Sequence, residues 1–443
     1  MEADFNFHNK LIFGSRMMKL ARENGMIPEE IYNEKGKTAE DAILQQVLTY
    51  DLARQWKRPL IVASVDTSQC YNRVAHAMAA LILRAYKVHA SSVKGMLNPI
   101  GCMEFYLRTG YGESKTYVGG KENKKQGGCQ GNGGAPPLWQ MLSTLLLKVQ
   151  HRHNHGIMIQ NPISKRKIKQ AGALFVDDTN LMSGLEEDSD LVEVAAKAQN
   201  GVNTWGKSLI ATGGVLNPAK CSFTIHDMVV DAKGKWKYTD EESKTNKLSS
   251  EEDDEGLDEL DLFEEVSMGV PRVNGNITAI KHLKSNEAVK NLGLFARPDG
   301  DSSPHMQQMR GRMETWTTKV KNGALPTRSV WTSYTHQLWA GMKYGLGASA
   351  ATMKELRNGL GSSDFYLISS LGVVRSMKKE WRYLPPTFSG MGLYSVTTEA
   401  TAATINTFLQ HYGTESQVGI TIQATLENLQ IELGVSGCPL HYD

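Results

Sequence analysis

The chain lacks any apolar run long enough to cross a bilayer: its longest, Ala77 to Leu83, covers seven residues, where a spanning helix needs roughly 20. The start, Met1-Glu2-Ala3-Asp4, carries acids and no apolar core of a secretory signal. Cysteine is scarce, with five in 443 residues, widely spaced and without a Cys-x-x-Cys pair. That excludes a disulfide framework and a zinc module, and it fits a reduced intracellular protein, nuclear or cytoplasmic. No internal repeat is visible, so solenoid architectures drop out. The chain is long enough for a sizeable core and about three domains.

Net charge is also low, at +2, but it is unevenly spread. Between Asp240 and Glu265 stand thirteen acids against two lysines, a local charge of −11, which leaves about +13 on the remainder. A basic body favours a polyanionic partner such as nucleic acid, with a solvated mixed-sign surface as the open alternative before any motif is counted. The acidic stretch reads as a disordered insertion over 240–265, with too little apolar content to offset the entropy of ordering.

The chemistry centres on Phe175-Val176-Asp177-Asp178. An apolar run, Ala171 to Leu174, precedes it, and a polar Thr179-Asn180 pair separates it from Leu181-Met182. Strand, tight turn, strand is the natural expectation, because Asp and Asn favour hairpin turns. Adjacent carboxylates at such a tip repel one another unless a cation lies between them, and a hard divalent ion fits oxygen ligands best. Upstream, Leu60 to Val65 forms a buried-strand run ending in Asp66. If the two strands are neighbours, Asp66, Asp177 and Asp178 meet on one patch suited to two metal ions.

Other segments fall around this centre. Thr38 and Asp41 form a capping-box pattern that opens a helix closed by Pro59. After Asp66 come Thr67 to Asn72 and then a helix with Val74, Ala77, Met78, Leu81 and Ala85 on one face. Residues 126–137 are dense in glycine and lead into a helix whose apolar face is Leu138, Met141, Leu142, Leu145, Leu146 and Val149. Glycines let backbone approach a ligand closely, yet no Gly-Lys-Ser/Thr follows, so this is not a phosphate-binding P-loop. His151, His153 and His155 alternate, which points them apart on a helix and favours a solvated linker over a metal site. Leu191 to Leu209 has helical periodicity ending at Gly213-Gly214, and Phe223-Thr224-Ile225 reads as a strand. Lys235 to Tyr238 alternates like its hairpin partner, and Leu292 to Phe295 reads as a strand. Met306, Met309, Met313, Trp316 and Val320 mark one face of a helix begun by Ser303-Pro304. An all-helical C-terminal region is expected beyond Pro326.

With the acid-bearing strand, the Gln-Gly loop opening a helix and the Phe-Val-Asp-Asp hairpin in that order, the chain resembles a reverse transcriptase of the non-LTR retrotransposon kind. Asp66 with Tyr71 looks like the first catalytic motif, Gln130-Gly131 with Pro136 like the second, and Phe175 to Asp178 like the aromatic-x-Asp-Asp box. Asn217 to Cys221 is similar to the lysine motif that follows, and Leu292-Gly293 to the primer-grip strand. The resemblance spans roughly residues 10 to 345, with Asn72 in place of a usual acid and Val176 in place of a usual alanine. No upstream arginine-proline fingers motif, endonuclease or zinc knuckle is seen, as in a retroelement fragment that begins inside the fingers.

The resemblance implies an α+β right-hand polymerase. Partial fingers would cover 1–60, and a palm with an antiparallel sheet 61–300, with further fingers elements within 90–128. A thumb would cover 301–345, and helices 346–443. It implies Asp66, Asp177 and Asp178 as ligands of two Mg²⁺ ions, and Lys220 as proton donor to pyrophosphate. Thr67, Tyr71, Gln130 and Gly131 would bind the nucleotide, with Tyr71 excluding a 2′-hydroxyl. RNA template, DNA primer and dNTPs would be the partners, with no membrane. Two functional readings stay open: an RNA-directed DNA polymerase, and a catalytically inactive nucleic-acid-binding remnant. An RNA-directed RNA polymerase is disfavoured by Tyr71 and by Phe175 two positions before the Asp pair.

Overall fold

Leu60-Ile61-Val62-Ala63-Ser64-Val65 packs apolar side chains on both faces, and the residues form the central strand Leu60–Asp66, buried except near its end. In the computed structural model, which describes residues 3–116, 126–231, 233–240, 266–323, 325–360, 368–374 and 376–441, the chain divides into two units. The first comprises Met1–Lys37, Lys57–Ile159 and Lys169–His282; the second comprises Thr38–Trp56, Gln160–Ile168 and Leu283–Asp443.

In the first unit the central strand pairs antiparallel with Asp178–Gly184 on one side and Ser222–His226 on the other. Gly172–Phe175 returns on Asp178–Gly184 as a hairpin. Ile157 aligns in parallel with Gly184, so the sheet is mixed where an all-antiparallel one was expected. The fold class is α+β. Helix Leu191–Ala211 opens on Asp190, whose carboxylate accepts the Glu193 amide at 2.7 Å. It lays Val194, Ala198, Val202, Trp205 and Leu209 into the same core as Ile61, Ala63, Val65 and Phe223. Helix Ala135–Arg152 adds Leu138, Trp139, Met141, Leu142 and Leu146 to that core. Each such side chain contributes about 1.5–3 kcal/mol when fully buried. The strand Trp236–Tyr238 pairs with Met228–Val230 rather than with the Phe223 strand.

In the second unit, helix Ala39–Trp56 begins with the expected box: the Thr38 amide donates to Asp41 Oδ2 at 2.7 Å and the Asp41 amide to Thr38 Oγ1 at 3.2 Å. Helix Ser303–Asn322 buries Met306, Met309, Met313, Trp316 and Val320, the face its spacing predicts. They pack on Val330, Tyr334, Leu338, Trp339 and Met342. Leu292-Gly293 is a tight turn, both residues at positive φ, between Val289–Asn291 and Leu294–Ala296. The expected strand therefore breaks where Gly293 enters the left-handed region. Helices Val396–His411 and Gln417–Leu433 follow. Among the described residues no helix is long and apolar enough to cross a membrane. The acidic stretch 241–265 lies outside the described residues.

Asp41 does more than cap its helix, since its Oδ1 meets His411 Nε2 at 2.9 Å with both residues buried. Burial raises the Asp41 pKa, but the bonds from His411 and Thr38 outweigh it and hold the carboxyl below the usual range. A depressed folded pKa contributes stability that is present above the unfolded value and lost as pH falls below about 4. His411→Ala is expected to cost about 1–3 kcal/mol at neutral pH, because it leaves a buried carboxylate short of a partner. It should also flatten the acid limb of the stability curve. Urea titration of both proteins at pH 4 and pH 7 checks this.

Candidate active site

Asp66 ends the central strand, and the register sets it directly opposite Asp178. Directly opposed residues carry Cβ atoms about 4.5–5.5 Å apart on the same face. The turn of the hairpin is Val176-Asp177, because Phe175 pairs with Asp178. Asp177 therefore stands at the tip beside that pair. Thr179 and Asn180, expected at the turn, lie instead inside the strand and are buried; Ser64 Oγ donates to Asn180 Oδ1 at 2.6 Å across the pair.

The backbone of Asp66 is fixed from both sides. Its carbonyl accepts the Asn217 amide at 3.0 Å, and its amide donates to Cys221 Sγ at 3.4 Å. The same turn brings Lys220 Nζ to 3.4 Å from Asp66 Oδ1, and the lysine is largely exposed. The Asp178 side chain has open surface, yet the protein around its carboxyl raises its pKa; the charges of Asp177 and Asp66 add to the rise and Lys220 opposes it. Burial, with the charges of Asp177 and Asp66, pushes the Cys70 thiol up to about 12. Burial, Cys70 and Asp177 push the Tyr71 phenol up to about 12 as well. Thiol and phenol thus stay neutral beside the acids at ordinary pH.

The glycine loop is tied to the turn after Asp66. Gly127 donates to the Val74 carbonyl at 2.7 Å, Gly128 to the Tyr71 carbonyl at 2.6 Å and Gln130 to Asn72 Oδ1 at 3.2 Å. Gln130 and Gly131 are exposed there, on the loop that is stitched to the residues around Tyr71. Thr67 is buried, with its hydroxyl unpartnered among the described residues.

The structure therefore brings Asp66, Asp177, Asp178, Lys220 and Tyr71 together, and holds Gln130-Gly131 on an adjoining loop. His151 stays apart from them: its Nε2 meets the buried Glu30 at 2.6 Å, while His155 meets Thr204 at 3.0 Å. Trp139, absent from the expected face of its helix, donates its indole N–H to the Val176 carbonyl at 2.7 Å.

The donor set suits a hard divalent cation. Three carboxylates gather at one end of two paired strands, and the pKa of Asp178 is raised by burial and then by the charges of the other two, a repulsion that a cation would relieve. Among the described residues no three His, Cys, Asp or Glu side chains are drawn in closely enough to hold an ion as they stand. Asp66 and Asp178 share a backbone register, and Asp177 stands in the turn next to Asp178.

A raised folded pKa makes ionised Asp178 a destabilising group, and the sign follows: stability falls as pH climbs from the unfolded toward the folded pKa, and the loss persists at neutral pH. Asp178→Asn is therefore expected to raise the melting temperature by about 1–3 °C at pH 7 in metal-free buffer, and by less at pH 4. A variant that melts lower at pH 7 would show that the carboxylate is needed for folding.

No protein-family model and no curated protein matches the sequence. Among solved structures, the chain is similar to the telomerase from Candida albicans in complex with a TWJ fragment of telomeric RNA. That match has 11% identity and a TM-score of 0.35, and covers 96% of this chain and 54% of that one. It is also similar to the telomerase from Candida tropicalis in the corresponding complex, at 10% identity and a TM-score of 0.35, covering 97% of this chain and 55% of that one. The chain spans about half the length of these structures. The site rests on its own geometry.

Proposed function

We propose that the chain is a nucleic-acid polymerase of the reverse-transcriptase type, extending a DNA primer on an RNA template with dNTPs. The observation that carries this reading is the register that sets Asp66 against Asp178 with Asp177 at the adjoining tip. Lys220, Tyr71 and the glycine loop support it from three further segments. The order of these motifs favours the non-LTR retrotransposon kind.

In this reading Asp66 and Asp177 hold two magnesium ions with Asp178 assisting. When bound, the ions supply activation of the primer 3′-hydroxyl and neutralisation of the departing pyrophosphate. The protein's own part is placement. Asp66 is anchored at both its amide and its carbonyl, so its carboxylate has a fixed origin. Lys220 is exposed and weakly held, free to turn from Asp66 toward a departing phosphate and give it a proton. Tyr71 stays protonated, a neutral ring that can lie under a sugar and crowd a 2′-hydroxyl. Gln130 and Gly131 are exposed on the glycine loop and would border the nucleotide.

Incubation of the full chain with an annealed RNA template and labelled DNA primer, dNTPs and Mg²⁺ is expected to give elongated product that disappears with EDTA. Salt-dependent RNA binding with no extension across Mg²⁺ and Mn²⁺ would overturn the enzymatic reading and leave a nucleic-acid-binding remnant.

A further inference from the structure

Val176 is a β-branched residue at φ +58, in the left-handed region that glycine and asparagine enter readily and valine avoids. Such a conformation persists only where the surroundings over-determine it, and the cases that persist concentrate at functional sites. Two contacts do so here. The Val176 side chain packs against the core of the first unit. Its carbonyl accepts the indole N–H of Trp139 at 2.7 Å, from a tryptophan 3% exposed on the helix that the glycine loop opens.

That carbonyl belongs to the same rigid plane as the Asp177 amide, because the peptide bond between them does not rotate. Fixing the oxygen fixes the direction in which the Asp177 backbone leaves the turn. We infer that Trp139 is a positioning residue for Asp177, holding the strained Val176 turn so that the Asp177 carboxylate faces Asp66 and Tyr71. The inference rests on the reading of Asp177 as part of the catalytic set. It also links two parts of the site through one helix: residue 134 ends the glycine loop and residue 139 holds the carboxylate turn.

Trp139→Phe keeps an aromatic ring but removes the donor together with part of the buried indole, so the kinetic split rather than the melting temperature carries the test. The expected result is a fall in kcat of about 10- to 100-fold, the scale of a small misplacement of a reacting group, with the KM for dNTP changed by less than about two-fold. Adding Val176→Gly, which makes the left-handed turn strain-free, is expected to recover most of the lost kcat. A role confined to packing predicts a different pattern: lower melting temperature, no selective loss of kcat, and no rescue by glycine. Either an unchanged kcat in Trp139→Phe or a failure of Val176→Gly to restore it overturns the inference.

A second readout keeps the result separate from the fate of the polymerase reading. Amide hydrogen exchange at Asp177 and Asp178 is expected to quicken in Trp139→Phe and slow again in the double variant. If wild-type protein extends no primer while this exchange pattern appears, the functional reading fails and the positioning role stands. If exchange is the same in all three proteins, the positioning role fails regardless of activity.

Discussion

Replacing Asp177 by asparagine is expected to lower primer extension by at least about 10³-fold, with RNA affinity at moderate salt held within about two-fold. Asparagine keeps the shape and the turn, so the change isolates charge. Burial raises the pKa values of Asp178, Cys70 and Tyr71, and the charge of Asp177 adds to each rise. Removing that charge relieves repulsion, and the folded protein should therefore melt no lower than wild type. Affinity for a nucleic-acid backbone comes mainly from lysine and arginine on a body that carries about +13 outside the acidic stretch. A carboxylate at the hairpin tip contributes little to it. Catalysis and binding thus separate in this variant, whereas an inactive binding remnant has no catalysis to lose. Single-turnover extension and filter binding on the same preparation make the comparison. Extension above about a tenth of the wild-type rate would remove Asp177 from the catalytic set.

What the sequence made legible follows a physical pattern. The helix Ser303–Asn322 and the Thr38 box were readable because helical spacing and caps are local, set by residues three or four apart. The hairpin was readable from its apolar runs, with its tip displaced by one residue. Turn chemistry placed both acids at the tip with Thr179-Asn180 after them, and the chain instead turns at Val176-Asp177, where the helix packed behind it compensates a poor turn residue. Contacts between distant residues left no local trace. Trp139 meets Val176 across 37 positions and Asp41 meets His411 across 370. The opposition of Asp66 and Asp178 was only conditional in the sequence, since a strand pattern fixes which face a residue takes but not which strand lies beside it. Buried Thr179 and Asn180 show the same limit: a polar pair expected beside the turn becomes interior once Ser64 supplies a bond to Asn180.

Gly127→Ala is expected to be among the most damaging single substitutions in the first unit. The glycine sits at φ +82, and a Cβ there would lie 2.4 Å from Asn72 Cα and 2.5 Å from the Tyr71 carbonyl oxygen, both backbone atoms that cannot swing aside. The loop must lift, which weakens the bonds from Gly127 to Val74, from Gly128 to Tyr71 and from His76 to the Gly127 carbonyl. Left-handed strain and the lost bonds together point to about 2–4 kcal/mol of destabilisation. The loop that lifts carries Gln130 and Gly131, and the turn it leaves carries Tyr71. In the polymerase reading the KM for dNTP should therefore rise by about ten-fold or more, a loss of nucleotide binding rather than of the acids. Gly131→Ala is the control: φ is +91, but nothing lies within 4 Å of its added Cβ. It meets strain alone, about 1–2 kcal/mol, and its amide neighbours keep their places. Equilibrium unfolding ranks the two variants, and steady-state kinetics at saturating template separates KM from kcat. Equal destabilisation by both would mean that the close approach of the loop to Asn72 is not what holds it, and a KM unmoved in Gly127→Ala would remove the loop from the nucleotide pocket.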